Sequence, residues 1–217
     1  LLALKVAAAI GKSFDLAELR AAAAACLPDS LRTDGALKKW AVAMCGESLL
    51  SPLAGGGASD GAYQFVSELV REGVYEALPV SLRCEIHASL AAHALASLAP
   101  QRNYAQCSLH ARLAHHYRGA RMAAEARSHL LEGGRIALEL YEWHWGRRLF
   151  EAARALDDDG GREDGTFAAA ELQSLVEKAE RGAELFATFA ARASAAGGST
   201  PKAPSIRRAS TSDGDAF

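Results

Sequence analysis

The apolar residues of this chain recur mostly at intervals of three and four, the spacing that lines one face of a helix. Leu2, Val6 and Ile10 predict a helix over 1–10, with Gly11 as its C-terminal cap. Ser13 or Asp15 is placed to cap a second helix over 15–27, and Leu27-Pro28-Asp29 breaks it. Asp29 or Ser30 opens a third helical segment, with Leu31, Leu37, Trp40, Ala41 and Met44 as its apolar positions. The pattern then changes. Residues 49–53 read as short and extended, 54–61 (AGGGASDG) as a flexible loop, and 63–66 as a second short strand. Three helices followed by a two-stranded hairpin is the plan of a winged helix, with the glycine-rich loop as its wing.

The stretch 61–95 organises the rest of the chain. Tyr63, Phe65 and Leu69 alternate into a helical run of Leu69, Val70, Val74, Ala77 and Leu78. Pro79 interrupts it, and Leu82, Ile86, Leu90 and Leu95 line a second run. From Ser81 onward the period stays helical, over 82–98, 103–118, 121–132 (stopped by Gly133-Gly134) and 136–156. Joints this short build antiparallel helix pairs. Within this region LAHHYRGARMAAEARSHLLEGGRIALELYEWHWGRRLFEAARAL resembles TPR repeats. Ala114, Ala126, Gly134, Gly146 and Ala153 stand where helices touch, and Tyr117 and Tyr141 where they interlock. The second helix pair is incomplete, so the array is expected to dock on the first lobe or to need further repeats. The predicted organisation is mainly α: a winged-helix-like lobe with a small β-hairpin (1–80), a TPR-like antiparallel helical array (81–156), an acidic glycine-rich linker (157–165), a single helix (166–192) and a disordered tail (193–217).

Composition agrees with the helical reading. Half of the 217 residues are apolar, and the strong helix former alanine is very common. A formal net charge of −2 weighs against a main partner that is nucleic acid or an acidic membrane. No apolar run reaches the roughly 18–20 residues of a membrane span, and no signal peptide pattern is present. A cytoplasmic location is therefore expected. Leu1 reads as the interior of a helix, so the chain is expected to be a piece of a longer protein. Cys26, Cys45, Cys84 and Cys107 form no CxxC and sit in apolar helical contexts, which predicts reduced, buried thiols, with a disulfide pair as the alternative.

The segment GAYQFVSELVREGVYEALPVSLRCEIHASLAAHAL also carries a resemblance. A short strand ending in Phe65 runs into Glu-Leu-Val-Arg-Glu, Val-Tyr-Glu-Ala-Leu-Pro, Leu-Arg and Ile-His. This order resembles the segment after the nucleotide-binding core of STAND-type ATPases. It is most similar to those attached to class III nucleotide cyclases, the soluble adenylyl cyclases and their bacterial and algal relatives. By pattern the resemblance covers 4–156. It implies a parent in which a cyclase pair, a P-loop ATPase, a winged-helix-like lobe and TPR-like helices succeed one another. ATP and Mg would belong to the parent's other domains, and this chain would carry no cofactor or metal. Ser67 stands where many relatives have His, so no role of that His carries over.

The short motifs add little chemistry. Gly11-Lys12-Ser13 looks like the end of a P-loop, but Val6 stands where the first glycine must be. Gly55-Gly56-Gly57 lacks a following Lys-Ser/Thr. His110, His115 and His116, and likewise His87 and His93, are spaced so that they do not share a helix face at ligand spacing, and read as packing or surface residues. Asp157, Asp158 and Asp159 read as solvated linker charge. Arg32, Lys38 and Lys39 are too few to read DNA from the third helical segment. Arg207-Arg208-Ala209-Ser210 is similar to the site preferred by cyclic-AMP-dependent kinase, which makes Ser210 a candidate phosphorylation site.

The chain is therefore expected to be no enzyme. It reads as a regulatory, protein-interaction segment whose partner is another protein or its own ATPase and cyclase domains. Tyr63, Phe65, Leu69, Arg71, Tyr75 and Arg83 are the residues expected to join the two lobes, as core or as reporters of state. A DNA-binding regulator of the same ATPase superclass and a stand-alone TPR-like adaptor are the alternatives.

Overall fold

A computed structural model describes residues 1–53, 61–160 and 166–195, with backbone alone at 157–160, 166–169 and 193–195. In chain order the elements are α1 (Leu2–Ile10), β1 (Ser13–Asp15), α2 (Leu16–Ala23), a 3-10 turn (Asp29–Leu31), α3 (Asp34–Gly46), β2 (Leu50–Pro52) and β3 (Ala62–Phe65). Next come α4 (Glu68–Glu76), α5 (Val80–Leu95), α6 (Tyr104–Gly119), α7 (Ala123–Glu139), α8 (Trp143–Gly160) and α9 (Thr166–Ala195). The described chain is mainly helical, with one small antiparallel sheet. It separates into two compact units, Leu1–Ser97 with His116–Met122, and Leu98–His115 with the described residues from Ala123 onward.

In the first unit the sheet has three strands, in the order β1-β3-β2, and not the expected two. The extra strand is Ser13–Asp15, which the sequence pattern presents only as a helix cap. Both roles hold. Asp15 closes β1 and also caps α2 in a capping box, accepting from the Glu18 N–H at 2.7 Å while Glu18 returns a carboxylate to the Asp15 N–H at 3.2 Å. Phe14 pairs with Tyr63 and Leu50 with Phe65. Residues on alternate strand positions share a face, so Phe14, Tyr63, Phe65 and Leu50 form the buried side of the sheet. Against it lie Val6, Leu19, Leu37 and Ala41 from α1–α3.

Several boundaries move for local reasons. α3 starts at Asp34 and not at Asp29 or Ser30, because the Thr33 hydroxyl accepts from the Ala36 N–H and fixes the first turn there. α5 belongs to the first unit: Ile86 and Leu90 enter the same core as Leu19 and Phe65. The domain boundary expected at 80/81 therefore lies after Ser97. The wing loop at 54–60 lies outside the described residues.

In the second unit Gly133 and Gly134 do not stop a helix; α7 runs through both. A Cβ on Gly134 would lie 2.5 Å from the Phe150 ring, so the glycine is there to let α8 approach. Phe150, Leu149 and Ala153 of α8 pack with Leu130, Ile136 and Ala137 of α7 and with Leu172 and Val176 of α9. The real break between α7 and α8 is at 140–142, where Tyr141 takes φ +62°. The Tyr141 N–H donates to Leu138 O at 3.1 Å and the Glu142 N–H to Ala137 O at 2.9 Å, which is a Schellman closure. The turn at the end of α6 has the same bonds: Arg121 (φ +61°) to Arg118 O and Met122 to Tyr117 O. α8 continues to Gly160, four residues into the expected linker, and 161–165 lie outside the described residues. The expected tail, including Ser210, is described only at 193–195, as the end of α9. No helix of the described residues is long and apolar enough to cross a membrane.

A left-handed residue with a Cβ is strained, and glycine removes that strain while making the unfolded chain looser. Arg121 is exposed. Arg121→Gly is expected to stabilise the fold by about 0.5–1 kcal/mol, read from the midpoint of urea unfolding at unchanged m-value.

Candidate functional site

The densest polar chemistry in the first unit grows from the corner between α4 and α5. Pro79 fixes the entry to α5, and Arg83 lies one turn in. Its Nη2 reaches back to the carbonyls of Tyr75, Glu76 and Leu78 at 3.2–3.3 Å, the open carbonyl end of α4. Its guanidinium lies 4.3 Å over the Tyr75 ring. His87 is four residues beyond Arg83 and so on the same helix face. The Tyr75 hydroxyl lies 3.0 Å from His87 Nε2. His87 Nδ1 in turn lies 3.1 Å from Nδ1 of His116, with the ring centres 5.4 Å apart.

Both imidazoles are buried, His87 with 1% and His116 with 3% of its surface exposed. Gly119 makes room for the His87 ring. A Cβ there would overlap Cδ2 of His87. Two neutral rings joined through Nδ1 need one N–H donor and one lone pair, so the pair holds a single proton between them. The tyrosine hydroxyl can donate or accept, and adjusts to whichever tautomer His87 adopts. Burial pushes the Tyr75 phenol up, against an opposing pull from Arg83, so it stays protonated at neutral pH.

The second unit repeats the motif. His110 and His129 meet through their Nδ1 atoms at 3.0 Å, with ring centres 5.1 Å apart. Burial lowers both pKa values. At His110 the carboxylate of Glu132 opposes the shift and Arg102 adds to it; at His129 the His110 ring adds to it. Arg102 is itself held by Glu132 at 2.9 Å and Glu139 at 2.5 Å. Nearby, Cys107 donates its thiol to Gly133 O at 3.2 Å, and burial first, then Glu142, pushes it up to about 12. Tyr104 donates to Glu142 at 2.7 Å and is pushed up to about 12, again by burial first. Neither is a ready nucleophile, since the ionised form is the reactive one.

All six residues expected to join the lobes lie in the first unit. Tyr63 and Phe65 are core residues of the sheet. Arg71 donates to Ala8 O at the end of α1 at 3.1 Å and is gripped by Glu68 at 2.6 Å. Tyr75 and Arg83 form the corner between α4 and α5. Leu69 corrects the expectation from sequence: it is 79% exposed, because α4 turns the face bearing it to solvent. Ser210 lies outside the described residues. Cys26, Cys45, Cys84 and Cys107 are all free thiols, and of these only Cys107 is fully buried.

Neither imidazole pair is visible to a search for histidines sharing a face along one helix. Each pair joins two helices, over 29 and 19 residues of chain. The signal in the sequence is a glycine one turn from a histidine on α6, His116 and Gly119, which marks something bulky coming close.

The His110–His129 pair gives a pH prediction. The folded pKa values lie below the ordinary 6.5, so on acidification the unfolded chain takes up protons first. The pair's stabilisation is complete above about pH 6.5 and is lost as pH falls below it. Urea unfolding between pH 7.5 and 5.5 is expected to show a steeper loss of stability for the wild type than for His110→Gln/His129→Gln; equal slopes would refute it. No family model, no curated protein and no solved structure matches this chain.

Proposed function

We propose that this chain is a non-catalytic regulatory and protein-interaction segment of a multidomain signalling protein similar to the STAND ATPases of soluble adenylyl cyclases. The observation that carries the reading is the element order of the first unit. Helix, strand, two helices and two strands, with sheet order β1-β3-β2, supports a winged-helix reading. The second unit supports a helical-hairpin array. α7 and α8 are joined by the tight turn at Tyr141, and the small residues Gly134 and Gly146 stand at their contact. α6 and α8 begin 39 positions apart (143 − 104), longer than the ~34 of a TPR unit, so the array is TPR-like in plan and not in period.

The mechanism in this reading is mechanical. The lobe rests on an ATPase core through the exposed apolar side of α4, where Val66, Leu69 and Val70 face solvent, and moves with its nucleotide state. ATP and Mg stay with that core, in the cytoplasm. The helical array presents Leu185, Phe186 and Phe189 of α9 to a protein partner.

The coding sequence upstream of Leu1 tests the reading. A P-loop and the paired metal-binding aspartates of a cyclase are the expected finding; a start codon with neither overturns it. A DNA-binding reading is served less well. α3 does expose Lys38 and Lys39, yet Arg32 pairs with Asp29 and Arg20 with Asp34 beside it. No salt-sensitive shift of duplex DNA is expected in a low-salt gel, because specific docking needs several unpaired phosphate contacts.

A further inference from the structure

We propose that His87 and His116 form a binding site for a divalent transition-metal ion, zinc first among them, with Tyr75 as the positioning residue. Both side chains belong to a group of three histidines, with His115, fit to hold a metal ion. Their Nδ1 atoms lie 3.1 Å apart. An ion about 2.0–2.1 Å from each would see them at about 100°, within a few tenths of an ångström of the tetrahedral separation. Imidazole nitrogens suit zinc, copper and nickel and not magnesium or calcium, which prefer oxygen.

The proton arithmetic favours the site. Without an ion, one Nδ1 carries a hydrogen and the other accepts it. With an ion, both Nδ1 lone pairs turn to the metal and each ring keeps its hydrogen on Nε2. No proton leaves the protein; one tautomer changes. At His87 the Tyr75 hydroxyl, 3.0 Å from Nε2, then accepts from the Nε2 hydrogen, whichever tautomer the ring had before, and loses no hydrogen bond. This is the arrangement that orients ligating histidines, a fixed acceptor on the nitrogen away from the ion. Arg83 holds that acceptor in place, since its guanidinium covers the Tyr75 ring and is pinned to the carbonyls of α4. Gly119 keeps the space over the His87 ring clear of any side chain of its own. Tyr75 is half-buried, so the site stands one side chain from solvent.

The test uses the full chain without a histidine tag, stripped with a chelator and titrated with zinc by calorimetry and with cobalt by visible absorption. One ion per chain is expected, with affinity at least tenfold weaker in His87→Gln and in His116→Gln. His110→Gln/His129→Gln is expected to bind as the wild type does. Tyr75→Phe, which keeps the ring under Arg83, is expected to weaken binding about tenfold. Should the histidine variants unfold, the wild type decides: zinc must move the Nδ1 nitrogen resonances of His87 and His116 together. The proposal is overturned if the stripped chain takes up no stoichiometric ion. Equal binding by all variants, or loss only in the His110/His129 variant, overturns it as well.

Discussion

Two helices of the first unit end partly against protein, and the carbonyls at those ends govern much of its polar chemistry. A helix C-terminus carries up to four open carbonyls and the negative end of the dipole, and a buried polar group without a partner costs about 1–3 kcal/mol. Here cations close both ends. Arg71 reaches the last turn of α1, and Lys5 and Arg83 reach the last residues around α4. The exchange is reciprocal in space: α1 supplies Lys5 to the end of α4, and α4 supplies Arg71 to the end of α1. Such an arrangement fixes the two helices against each other more tightly than apolar contact does, because every bond has a direction.

That closure decides the roles of residues that look functional in sequence. Arg71 and Arg83 read in sequence as residues that join the lobes, but their guanidinium groups are engaged with carbonyls inside the unit. What Arg83 gains in return is control of Tyr75. Because the guanidinium is pinned to the α4 carbonyls and lies over the ring, the hydroxyl can point only toward α5, where His87 is one turn further on. A capping requirement at one helix end thus reaches, through one aromatic ring, to a buried imidazole.

The helical character and the alternation of the sheet were legible in sequence because they depend on period alone. Tyr63 and Phe65 at alternate positions belong to the buried face, as their spacing says. The third strand was not legible. Three residues are too few to show a period, and Ser13 and Asp15 are equally good cap residues; only pairing with β3 makes them a strand. Gly133-Gly134 misled for a related reason. Glycine weakens a helix by about 1 kcal/mol, but at a contact it allows an approach that returns more, as Phe150 against Gly134 does. At the breaks that did occur, the left-handed residues are Arg121 and Tyr141 and not glycines. Leu69 failed because periodicity marks an apolar face without saying that anything covers it.

The two imidazole pairs show how surroundings separate chemically identical arrangements. Each joins Nδ1 to Nδ1 at 3.0–3.1 Å across two helices. Beside His110 stand full charges, Glu132 and Arg102, which push its proton affinity in opposite directions; burial is the larger effect and leaves the pair neutral. On Nε2 of His87 stands a hydroxyl, which can reverse its hydrogen bond. A fixed charge selects one protonation state, whereas a reversible hydroxyl leaves two tautomers equally well bonded. The first pair is therefore built to stay as it is. The second is built so that a ligand on its Nδ1 edge can change which nitrogen of His87 holds the proton while Nε2 keeps its hydrogen bond to Tyr75.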